Sequence, residues 1–147
     1  MTLTIDLGNT RAKLTIFDAQ ATIVEHRSVA HHNLVEQLHQ LLSVRPEIRR
    51  ICWCAVGDIP AEFPAFLKNC RCAVQQLSPT ALPSGITLGY RTPATLGADR
   101  LAAVMGAQSL LPHRTVFVID AGTCITFDLL LSNGHYLGGN ISPGLDM

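Results

Sequence analysis

Ile5-Asp6-Leu7-Gly8-Asn9-Thr10 returns late in the chain as Ile119-Asp120-Ala121-Gly122-Thr123. The first copy closes a short β-rich run over 2–8. The second closes the strongly apolar run over 115–121. Each is followed by a second apolar run, over 11–18 and 124–131, and by a third, over 21–29 and 135–141. Alternation and β-branched content read these as strands. Phe17-Asp18 and Phe127-Asp128 read as matching ends of the second strands. One strand–turn–strand–strand unit used twice predicts two related lobes facing each other across a cleft.

The turns carry chemistry. Glycine at Gly8 and Gly122 lets the backbone turn tightly and approach a ligand closely. Successive backbone N–H groups in such a turn form an anion-binding concavity. Asn9, Thr10, Thr123 and Thr126 add side-chain donors, and Lys13 can offset phosphate charge. Asp6 and Asp120, at the strand ends, suit a cation better than a phosphate. One such turn alone is the commonest kind of hairpin turn; two of them, each closing an apolar strand, point to a nucleotide. There is no G-x-x-x-x-G-K-[ST] and no G-x-G-x-x-G.

Between the copies, Asn33 reads as the cap of a helix with Leu34, Leu38, Leu41 and Leu42 on one face, ending before Pro46. Residues 49–56 read as a buried strand, 60–69 as a weaker helix and 72–77 as a short strand. The Pro- and Gly-rich stretch 78–95 reads as loop, and 97–111 as a helix stopped by Pro112. Ser132-Asn133-Gly134 is a hairpin turn.

The 147 residues are 48% hydrophobic and 15% charged, with zero formal net charge. That supports a packed core and offers nothing to grip a nucleic acid or an acidic membrane. No membrane-length apolar run and no signal-peptide pattern occur, so the expected location is the cytoplasm. Five cysteines exclude a complete disulfide framework. The pairs Cys52/Cys54 and Cys70/Cys72 lack the usual zinc spacing and read as buried thiols. The six histidines show no ligand spacing.

Asp6-Leu7-Gly8-Asn9-Thr10, Tyr90, Leu96-Gly97-Ala98-Asp99-Arg100, Asp120 to Thr126 and Gly138-Gly139-Asn140-Ile141-Ser142-Pro143-Gly144 occur in the order seen in type III pantothenate kinases. The chain resembles that family from residue 2 to its end. The resemblance implies an α/β, ribonuclease H-like fold of the actin-type ATPases, with two related lobes of mixed sheets and flanking helices. The expected lobes are 1–112, with the first phosphate loop and the pantothenate-contacting segment, and 113–147, the start of a second, incomplete lobe. It also implies transfer of the ATP γ-phosphate to the hydroxyl of pantothenate.

The same resemblance assigns residues. Asp6, Leu7, Gly8, Asn9, Thr10, Arg11, Ala12, Lys13 and Thr123 would bind ATP. Tyr90, Gly97, Ala98, Asp99 and Arg100 would contact pantothenate, with Asp99 as proton acceptor. Asp120 would hold a monovalent cation, K+ or NH4+; Asp6 would hold Mg2+ with ATP, through water. A homodimer is implied, with no nucleic acid or membrane partner. The chemistry is consistent: phosphoryl transfer needs positioning and charge neutralisation, and a carboxylate at a helix start favours its ionised, base-competent form. Arg100 could offer its fork to the carboxylate of pantothenate. The other readings are a non-catalytic relative acting as a transcriptional accessory factor and another actin-like small-molecule kinase. The family continues beyond the point matched by Met147, so this chain alone is expected to bind nucleotide weakly and to turn over poorly.

Overall fold

The structure is a computed structural model, and it describes residues 1–82 and 84–144. The chain forms two compact units, Met1–Leu77 and Ser78–Met147. This division lies well before the expected 112/113 boundary. The reason is packing: the long helix after residue 97 lies on the strands that follow it.

The first unit holds strands β1 (Thr2–Leu7), β2 (Ala12–Phe17) and β3 (Ile23–Val29), helix α1 (Leu34–Val44), β4 (Arg50–Ala55), helix α2 (Phe63–Asn69) and β5 (Ala73–Gln76). The sheet order is β3-β2-β1-β4-β5, with β1 antiparallel to β2 and parallel to β4. Alternation puts Leu3, Ile5 and Leu7 on one face. Register adds Ala12, Leu14 and Ile16 from β2 and Ile51 from β4. α1 supplies Leu34, Leu38 and Leu41, and α2 supplies Phe63 and Phe66, to the same buried cluster. Trp53 meets Phe63 edge-on at 5.3 Å. Each fully buried side chain of this kind contributes roughly 1.5–3 kcal/mol. The opposite face carries Thr4, Asp6, Lys13 and Thr15, with Cys54 of β4 buried opposite Asp6; Arg50, at the start of β4, is exposed.

Asn33 does not cap α1 with its side chain. A 3-10 turn over His31–Asn33 precedes the helix, and Asn33 already has helical backbone angles (φ −101°, ψ −2°) with no side-chain cap bond.

The second unit holds β6 (Thr87–Leu88), a 3-10 turn over Pro93–Thr95, helix α3 (Ala98–Leu110), β7 (Val116–Ala121), β8 (Cys124–Leu130) and β9 (His135–Pro143). The sheet order is β6-β9-β8-β7. β6 falls inside the stretch read as loop; its two residues pair with His135 and Tyr136, too short a run to signal a strand. The Asn133-Gly134 turn forms, with Gly134 at φ +81°.

The repeat holds at the level of register. Asp6 opposes Lys13 in β1/β2, and Asp120 opposes Thr126 in β7/β8. The Phe-Asp pairs are not equivalent, however. Asp18 sits in a turn, accepting the N–H groups of Gln20 and Thr22 at 2.9 and 2.8 Å. Asp128 sits inside β8, opposite Val118, and is 1% exposed.

Candidate active site

In the first unit, the loop from Gly8 to Arg11 is closed by the Gly8 N–H donating to the Arg11 carbonyl at 3.2 Å. Asn9 and Thr10 are exposed on it. Leu7 and Ala12, on either side, are fully buried, so any contact they make with a ligand is through backbone. Arg11 turns away from the loop: Nε donates to Ser28 Oγ and Nη2 to the Ser28 carbonyl, both at 2.8 Å. Lys13 Nζ lies 3.6 Å from Asp6 Oδ2. The Cys54 thiol donates to Asp6 Oδ1 at 3.7 Å. The Asp6 carboxylate is thus held upright at the strand end, a third exposed. The sequence reading missed Gly57. A Cβ there would come within 2.9 Å of Asn9 Oδ1, so the end of β4 forms a second wall of this loop.

In the second unit, the Gly122 N–H donates to the Cys124 carbonyl at 2.9 Å. Thr123 and Asp120 are exposed. The Gly144 N–H donates to the Thr123 carbonyl at 3.0 Å. A Cβ on Gly144 would collide with the carbonyls of Gly122 and Thr123, so the end of the Gly138–Gly144 motif lies directly against the loop.

Asp99 stands in the first turn of α3, after Gly97 at the N-cap. Its Oδ1 accepts the Arg100 N–H at 2.8 Å. The carboxylate is therefore fixed at the positive end of the helix.

Arg100, expected at pantothenate, is engaged within its own unit. Its side chain is 5% exposed, and the Nε–Nη2 edge of its fork is already taken by Asp128. Nε donates to Asp128 Oδ1 and Oδ2 at 3.1 Å, and Nη2 donates to Oδ1 at 2.6 Å. The Tyr136 hydroxyl donates to the same Oδ1. Burial pulls the guanidinium's pKa down, but the hydrogen bonds and charge of Asp128 outweigh it and the net shift is upward. Burial, reinforced by the bond to Asp128, pushes the Tyr136 phenol up. Tyr90 packs its ring over Gly138, where a Cβ would lie 2.5 Å from Cδ2 and φ is +86°. Tyr90 is close enough to Arg100 and Tyr136 to influence both electrostatically. Asp128 and Tyr136 were absent from the sequence-based set. The available signal was a carboxylate inside the apolar run Phe127-Asp128-Leu129, since an unpaired Asp is almost never fully buried.

Among the described residues no group of three or more His, Cys, Asp or Glu side chains is placed to hold a metal. Cys52, Cys70, Cys72 and Cys124 are free thiols. A groove of about 500 Å³ lies between α1 and α2, lined among others by Val35, Leu42 and Phe66; it contains none of the sequence-predicted site residues.

Three comparisons place these features. The solved structures most like this chain include the activator of the 2-hydroxyisocaproyl-CoA dehydratase from Clostridium difficile with bound ADPNP. Its TM-score is 0.55 at 16% identity, over 97% of this chain and 45% of that one. A ROK family glucokinase from Streptomyces griseus in complex with glucose and AMPPNP gives a TM-score of 0.55 at 13% identity, over 97% and 47%. The fold is the actin-type ATPase α/β fold, with mixed sheets and flanking helices. Type III pantothenate kinases from Phocaeicola vulgatus and Christiangramia forsetii are 42% and 37% identical over 147 residues, covering all of this chain. The chain spans 59% of the length of each of these relatives. The family model for type III pantothenate kinase matches residues 2–147, and the chain belongs to that family.

Proposed function

We propose that this chain carries the phosphate-gripping and acceptor-activating part of a pantothenate kinase, which transfers the ATP γ-phosphate to the primary hydroxyl of pantothenate. The observation that carries the reading is Asp99. It sits at the positive end of α3, held by the Arg100 N–H, beside the buried Arg100–Asp128 ion pair. A carboxylate there can accept the attacking hydroxyl's proton. Asp6 to Lys13 would receive ATP phosphates: Gly8, Asn9 and Thr10 by backbone N–H groups and side-chain donors, Leu7, Arg11 and Ala12 by backbone, and Lys13 by its charge. Thr123 would hold ATP from the second loop. Tyr90, Gly97, Ala98 and Arg100 would surround pantothenate.

Mg2+ bound with ATP would neutralise phosphate charge. Asp6, partly exposed and anionic, fits a water-mediated contact to it. Asp120, exposed at its strand end, fits K+ or NH4+. The working form is read as a homodimer in the cytoplasm, where thiols such as Cys52, Cys70, Cys72 and Cys124 persist. No helix among the described residues is long and apolar enough to cross a membrane.

The test is ADP release with ATP, magnesium and potassium, with and without pantothenate. The proteins are this chain and the Phocaeicola vulgatus relative with its matching segment replaced by this chain. Pantothenate-dependent release is expected. Asp99→Asn should lower it by roughly 10²–10⁴-fold while leaving nucleotide affinity in place. Unchanged release in Asp99→Asn removes Asp99 from the role of base; no pantothenate dependence in either protein removes the kinase reading.

A further inference from the structure

Arg100, Asp128 and Tyr136 form a closed chain of charge next to the proposed acceptor base. Asp128 is 1% exposed, Tyr136 fully buried and Arg100 5% exposed. Asp128 holds Arg100 by one edge, Nε and Nη2. Nη1 takes no part in that contact. Nη1 is the end of the guanidinium away from Asp128, on the side chain that follows Asp99.

A guanidinium whose counter-charge is 2.6 Å away attracts a further anion much less than a lone one does. The Tyr136 hydroxyl, donating to Asp128 Oδ1, draws off part of the carboxylate's charge and so returns some of that pull to Arg100.

We propose that Asp128 sets how strongly the acceptor site selects a negatively charged ligand: it orients Arg100, leaves Nη1 outside the ion pair, and cancels most of the guanidinium's charge, while Tyr136 tunes Asp128 in turn. The inference rests on the kinase reading for the identity of the acceptor. Asp128 and Tyr136 are then positioning residues, acting through Arg100, and the carboxylate of pantothenate meets the N–H groups of Nη1 rather than a full ion pair.

The measurement is a ratio: the equilibrium affinity of this chain for pantothenate divided by its affinity for the neutral primary amide of pantothenate, by calorimetry. Loss of folded protein lowers both affinities together and cancels, so a merely structural role leaves the ratio unmoved. Asp128→Asn frees the charge of Arg100 and should raise the ratio about tenfold. Tyr136→Phe leaves Asp128 with more charge and should lower it roughly two- to threefold. If Asp128→Asn does not fold, Tyr136→Phe decides alone: a fall supports the inference, and no change or a rise overturns it. An unmoved ratio in both variants overturns it, as does a wild-type chain that binds neither ligand. Binding of both ligands without pantothenate-dependent ADP release sinks the kinase reading and leaves the ratio to judge Asp128.

Discussion

Tyr136 is fully buried, and its hydroxyl donates to a carboxylate that also neutralises Arg100. Ionising it would set two negative oxygens together in a buried site. Burial first, and the bond to Asp128 second, hold its pKa above the ordinary phenol value of 10.0. The sign follows. A group whose pKa is raised on folding contributes its full stability below the unfolded pKa and loses it as pH climbs towards the folded one. Above about pH 10, each further unit therefore removes up to about 1.4 kcal/mol through Tyr136. Thermal midpoints taken from pH 8 to pH 11 should fall more steeply for the wild type than for Tyr136→Phe. Parallel curves would remove Tyr136 as the cause. Asp128 itself is a residue on which the rest depends, because leaving Arg100 buried without it costs about 3–5 kcal/mol.

Two glycines separate what strands and helices tolerate. Gly139 in β9 opposes Asp128 in β8. A Cβ on it would run into the Phe127 carbonyl and stand 2.9 Å from the Asp128 Cα, all backbone and unable to yield. Gly139→Ala should cost about 2–4 kcal/mol by prising β8 from β9. Gly106, inside α3, has nothing within 4 Å of its notional Cβ. Gly106→Ala should raise stability by about 0.5–1 kcal/mol, since alanine restricts the unfolded chain and favours helix. Chemical denaturation of both variants checks the pair; equal effects would contradict the contact geometry. The same elements show what was legible. β1, β2, β7 and β8 could be read because apolar alternation and an Asp-x-Gly stop coincide. α3 could be read because a proline ends it. β6 could not, because two residues carry no period, and the cap of α1 could not, because the 3-10 turn at His31 had already recruited Asn33 into helical angles. The loop residues of the candidate site were legible as turn chemistry. Asp128 and Tyr136 were not, since only the packing of α3 on β8 brings Arg100 to them.

At the scale of the whole chain, the first unit owns its core. Every buried member of its main cluster, from Leu3 to Phe66, lies within Met1–Leu77, as do both helices covering that sheet face. The second unit is less self-sufficient. One face of its sheet is covered by α3, over Leu101, Val104, Leu130 and Tyr136. The other presents Phe117 and Ile119, 59% and 57% exposed, with Phe117 stacked on Phe127 at 6.1 Å. A contiguous apolar face of this kind drives association in water. Residues 1–77 expressed alone should therefore unfold cooperatively as a monomer with a stability of a few kcal/mol, as small domains do. Residues 78–147 alone should associate as concentration rises, and Ile119→Thr should weaken that association by removing apolar area without disturbing the α3 side. Circular dichroism melts and sedimentation velocity at several concentrations read both. An unfolded 1–77 would mean that its core needs the second unit after all. A strictly monomeric 78–147 would mean that the exposed face is too small or too interrupted to hold a partner.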